Sequence, residues 1–150
     1  MNNSQRAPLK VILCGATMQF VLKNMFLPFA SHAGGFEVLS LATTLKAMTG
    51  DAQAYRPDVL VIESSIAPSV DELQRCLTQL VNTTPITVVL ALTEECPTIT
   101  YHFDGSDRIK TWIAPVNWTQ VADSTHAFVS EQKSLSNRSL VEEAGDLEEG

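Results

Sequence analysis

The chain alternates two patterns. Short, nearly continuous apolar runs are separated by longer stretches in which apolar residues recur every three or four positions. The first run is Leu9–Cys14 (LKVILC), and runs of this type are strands buried on both faces. Gly15 and Ala16 follow, and Thr17 is placed to cap a helix. From Met18 the apolar residues Val21, Leu22, Met25, Phe26 and Phe29 fall at helical spacing, with Pro28 near the end and Gly34-Gly35 closing the pattern. Residues 36–41 (FEVLSL) alternate as a second strand. Residues 43–55 predict a second helix with Leu45, Met48 and Ala52 inward, which Gly50 weakens. Arg56-Pro57-Asp58 ends it.

Residues 59–62 (VLVI) form the clearest strand, ending at Glu63. After a loop, residues 70–81 predict a helix with the stripe Leu73, Cys76, Leu77 and Leu80. Residues 85–92 (PITVVLAL) are a fourth strand. Residues 93–107 begin like a helix and continue like a strand, and predict at most a short or distorted one. Residues 109–114 (IKTWIA) are a fifth strand, stopped by Pro115. Asn117 caps a last helix with the face Trp118, Val121, Ala122, Thr125, Phe128 and Val129.

The order βαβαβαβ(α)βα implies a parallel sheet covered on both faces, with right-handed crossovers. Five strands in this length fit a doubly wound, flavodoxin-like α/β fold with strand order 2-1-3-4-5. Its site crevice lies at the carboxyl ends of the strands, here residues 14–18, 63–68, 91–95 and 114–117. The division expected is a loose N-terminus (1–8), one domain (9–130) and an acidic tail or linker (131–150), whose residues 134–150 are a helical extension or a disordered linker.

Composition narrows the function. The chain has 150 residues and a formal charge of −7. Six of its 17 acids and only two of its ten bases lie in residues 131–150. This balance argues against binding nucleic acid. The longest apolar run, residues 88–92, is too short to insert in a membrane, and no signal-peptide core is present. Cys14, Cys76 and Cys96 are odd in number and lack CxxC spacing, so a disulfide framework or zinc site is not expected and a reducing cytoplasm is.

Pro57-Asp58 followed by four apolar residues and Glu63 resembles the third strand of a response-regulator receiver (CheY-like) domain. There, Pro-Asp and four apolar residues lead to the phosphorylated aspartate. Pro68, Pro85 with the strand after it, and Ala114-Pro115, where receivers carry Lys-Pro, continue the resemblance, which spans residues 8–130. It implies a five-stranded CheY-like fold and a signalling role.

The departures from the pattern fall on its chemistry. Gly15-Ala16 stands where receivers carry the acidic pair that holds Mg²⁺. Glu63 stands at the phosphoacceptor, Leu90 by count at the hydroxyl of strand four (Thr93 if the register slips), and Ala114 at the lysine before Pro115. Physical chemistry agrees without the family. Phosphoryl transfer needs the developing charge neutralised. The four crevice segments hold Glu63, Glu94 and Glu95 but no Lys, Arg or His.

The reading is therefore a pseudo-receiver: not an enzyme, with no cofactor or metal, acting through a protein partner and a homodimer. Glu63 is either a built-in mimic of the phosphorylated state or a strand-end acid that is hydrated or caps a neighbouring helix. Two alternatives are a working phosphorelay receiver and a flavodoxin-like domain binding a nucleotide or small ligand. The lone Gly15 after strand one is weak support for the second. Cys14, at a strand end, reads as a buried structural thiol, and His32, His102 and His126 as scattered surface residues. Trp112 and Trp118, with Tyr101 in the irregular segment, are core or interface residues on the surface receivers use for pairing. A degenerate receiver followed by an acidic segment also resembles the N-terminal part of TadZ/CpaE-type pilus-assembly proteins. That resemblance implies a following ATPase and a role in localisation.

Overall fold

The computed structural model describes residues 8–67, 69–92, 108–113 and 116–149. The strands are β1 (Leu9–Cys14), β2 (Phe36–Ala42), β3 (Val59–Glu63), β4 (Thr87–Leu92) and β5 (Ile109–Ile113). They form one parallel sheet in the order β2-β1-β3-β4-β5, the doubly wound arrangement expected. The β1–β2 register shifts between Val11 and Ile12, so that Ile12 lies opposite Ser40.

The two-residue period of the strands sorts the core onto the two sheet faces. Ile12, Cys14, Leu60, Ile62, Val88 and Leu90 face one side, where helices α2 (Leu45–Tyr55) and α3 (Val70–Thr83) supply Met48, Ala52, Leu73, Leu77 and Leu80. Val11, Leu13, Val59, Val61 and Val89 face the other. There α1 (residues 18–30) and α4 (Trp118–Glu149) supply Val21, Met25, Phe29, Val121, Ala122 and Val129.

Side-chain caps mark the helix starts, those of Thr17 and Asn117 as expected. The side chains of Thr17, Thr44, Ser69 and Asn117 accept from the amides of Phe20, Ala47, Glu72 and Gln120 at 3.1–3.2 Å. Gly50 does not shorten α2, because it sits on the exposed face with open space around its α-carbon.

One element departs from expectation, and the tail takes one of the two forms expected. Helix α1 is not uniformly α-helical. A π-helical stretch, Val21–Phe26, joins Met18–Phe20 to Leu27–Ala30. Pro28 has no N–H to give the carbonyl of Asn24, and its ring would crowd that carbonyl in a tight α-turn. The wider i→i+5 turn relieves both conflicts. Helix α4 continues past Ser130 to Glu149, so the acidic segment is the helical extension and not the disordered linker. The predicted element in residues 93–107 lies outside the described residues.

Candidate functional site

The carboxyl ends of β1 and β3 lie side by side, with Cys14 opposite Ile62. One residue further, Glu63 pairs with Ala91 of β4. Glu63 is 2% exposed, which corrects the expectation of a hydrated strand-end acid. Its carboxylate instead caps the short 3₁₀ turn Ser64–Ile66: Oε2 accepts from the Ser65 amide at 2.9 Å. The Ser65 hydroxyl donates to the same carboxylate at 2.5 Å. The Ala16 amide, from the turn after β1, donates to Oε1 at 3.4 Å. A buried carboxylate needs such donors to replace lost hydration.

Gly15 packs tightly in the turn after β1. A β-carbon there would lie 2.9 Å from Cγ2 of Val21 and 3.7 Å from Oε1 of Glu63. A side chain at position 15 would therefore press on Val21, while Ala16 beside it is exposed and carries no carboxylate. Leu90 does not line the crevice. It is fully buried in the core facing α2 and α3, and Ala91 is the β4 residue beside Glu63. Simple counting misses this, because alternation sends neighbouring strand residues to opposite faces. Ala114, Pro115 and Tyr101 lie outside the described residues, as do Pro68, Thr93, Glu94 and Glu95.

Trp112 and Trp118 are half-buried against the core between the sheet and helices α1 and α4. Trp118 meets Phe20 edge-on, with centroids 6.2 Å apart. Cys14 is fully buried, and burial, aided by the charges of Asp51 and Cys76, pushes its thiol pKa well up. A protonated, inaccessible thiol is a poor nucleophile.

Sequence reasoning missed two features. Ser65 completes the Glu63 cap, and a hydroxyl two residues after a strand-end acid was a readable signal. The histidines are not all scattered. The rings of His32 and His126 stack with centroids 5.0 Å apart, and His32 Nε2 lies 2.7 Å from Asp123. The Gly34 amide donates to His32 Nδ1, so a neutral His32 carries its proton on Nε2, toward Asp123. This cluster joins the end of α1 to α4, away from the crevice, and nothing in the sequence spacing announces it.

No family model matches the sequence, and no curated protein is similar to it. Solved structures are similar. The signal receiver domain of NarL from Mycobacterium tuberculosis superposes with a TM-score of 0.65 at 16% identity, over 83% of this chain and 98% of that one. The signal receiver domain of a LuxO repressor protein from Vibrio parahaemolyticus gives 0.66 at 11%, over 86% and 95%. The REC domain of AraT, a response regulator from Geobacillus stearothermophilus, gives 0.59 at 17%, over 86% and 98%. The chain thus has the fold of response-regulator receiver domains.

That fold implies a magnesium ion beside the acceptor carboxylate, and the described residues here do not fit one. Magnesium wants an octahedral shell of carboxylate and water oxygens. Gly15 and Ala16 offer no side-chain oxygen, and the Glu63 carboxylate is engaged by Ser65 and Ala16. Among the described residues, no group of three or more His, Cys, Asp or Glu is placed to hold a metal. Among them too, no helix is long and apolar enough to cross a membrane.

Proposed function

We propose that this chain is a receiver-fold protein-interaction module that works without phosphorylation and associates with itself. The observation that carries this reading is the burial of Glu63 and the hydrogen bonds it accepts from the Ser65 amide, the Ser65 hydroxyl and the Ala16 amide. A receiver switches when a phosphoryl group on its acceptor recruits new partners at this rim. Here the carboxylate already has its partners, and the crevice segments supply no cation to draw a dianionic donor. Glu63 acts as an internal brace that fixes the β3 turn, not as a charge displayed where a phosphate would sit.

A module of this kind regulates or places a partner through its surfaces alone. The resemblance to pilus-assembly proteins makes that partner a covalently linked ATPase. The acidic segment after the domain favours this finer reading, and a phosphate-loop sequence encoded downstream in the same gene is its test.

Amide spectra recorded with beryllofluoride and Mg²⁺ test the main reading. Unchanged resonances for residues 60–67 support it. Saturable shifts there would favour the working receiver. Shifts on titrating nucleotides or flavins without metal would favour the ligand-binding alternative.

A further inference from the structure

The π-helical stretch of α1 has a consequence at the surface. In an α-helix, Leu27 would turn well away from Leu22, five residues earlier. The wider i→i+5 turns of Val21–Phe26 bring Leu27 closer to the face of Leu22 and Met18 than an α-helix would. The three are 65%, 50% and 43% exposed, while Val21, Met25 and Phe29 fill the core on the opposite side. An apolar stripe on a helix of a soluble chain marks an interaction surface. Its charge is distinctive. Helix α1 carries Lys23, exposed beside the stripe, and no acid, in a chain of net charge −7.

We propose that this stripe is the docking site for the acidic end of helix α4 from a second copy of the chain. Charge complementarity selects this occupant. Residues 134–149 carry Glu142, Glu143, Asp146, Glu148 and Glu149 against Arg138 alone. The sequence sets Leu140, Ala144 and Leu147 at i, i+4 and i+7, the spacing of an anchor row for a helix-binding face. Lengths also agree, since these 16 residues span about 24 Å as a helix and α1 about 20 Å.

The occupant cannot come from the same chain. Phe20 packs on Trp118, and His32 binds Asp123, so α1 and the start of α4 run side by side in the same direction. Lys133 already reaches Asp58, at the amino end of β3, and residues 131–134 are exposed. Continuing as a helix, α4 leads away from its own α1. Exchange between two copies satisfies both faces reciprocally, as a two-fold dimer requires.

This inference rests on the self-association proposed above, and one set of measurements separates the two. Sedimentation velocity on the full chain is expected to show a dimer that weakens with salt. Leu27→Glu, at an exposed site, and a second chain with residues 142, 143, 146, 148 and 149 changed to their amides should each weaken the dimer at least tenfold. Circular dichroism should confirm that both remain folded. Mixing these two variants should restore association, because each retains the face the other lacks. A dimer indifferent to both variants, or variants that fail to complement, would overturn the docking site and leave self-association standing. A wild-type chain that stays monomeric at every concentration would overturn both. If the amide variant loses helix content, Leu27→Glu and Leu22→Glu decide the matter, and undiminished dimer in both contradicts the proposal.

Discussion

The Ala16 amide reaches across the end of the sheet to Oε1 of Glu63, tying the turn after β1 to the tip of β3. The Ser65 amide and hydroxyl hold the other side of the same carboxylate. Both ends of the would-be phosphorylation crevice are thus fastened to one side chain. Glu63→Gln keeps the volume but gives up one acceptor oxygen and the charge. It should destabilise the domain by about 1.5–3 kcal/mol, the range for hydrogen bonds to a charged group. Ser65→Ala should lose about half as much. Urea unfolding checks both, and an unchanged midpoint for either would show that the brace carries no stability.

Glycine substitutions should divide by local space. Gly15→Ala pushes a methyl against Val21, and Gly34→Ala drives one into the His126 ring, at 2.6 Å from Cε1. Each is expected to lose about 1–3 kcal/mol through overpacking. Gly50→Ala, in the exposed face of α2 with nothing nearby, should gain up to about 1 kcal/mol. Thermal melts of the three variants test the ordering.

The Cys14 thiol, raised by burial, fixes a sign for alkaline pH. The folded state holds its proton where the unfolded chain loses it, from about pH 8.5 upward. This contribution is fully present below that pH and declines as pH rises toward the folded value. Stability should therefore fall with increasing pH above about 8.5, with a shallower slope in Cys14→Ala. Native Cys14 should resist thiol reagents that label it promptly in urea. Prompt labelling in the native state would contradict its burial.

Thr125 is buried on α4, and its hydroxyl has no hydrogen-bond partner among the described residues. Thr125→Val removes that unpaired group at nearly constant shape and should raise stability by about 1 kcal/mol. Chemical denaturation would show it, and a loss instead would reveal a partner for the hydroxyl.

Most of the fold was legible because its strands are short and apolar on both faces, and because Thr17 and Asn117 announce their helices. The site was half legible. The replacements at Gly15, Ala16 and Glu63 could be read directly, since they concern which residue types are present. The direction of the Glu63 side chain could not, because a strand-end acid is equally able to face water or its own following turn. The π-helix was hidden because Pro28 in a helical pattern signals a break as readily as a widened turn. The His32–His126 stack joins residues 94 positions apart, which only the packing of α1 on α4 brings together.

A module that works without phosphorylation requires that residue 63 accept no phosphoryl group. Intact-mass spectrometry of the chain after incubation with acetyl phosphate and Mg²⁺, using an active receiver as positive control, tests this most directly. An unmodified mass is expected at every donor concentration that saturates the control. A phosphoryl adduct that disappears in Glu63→Gln would contradict the account.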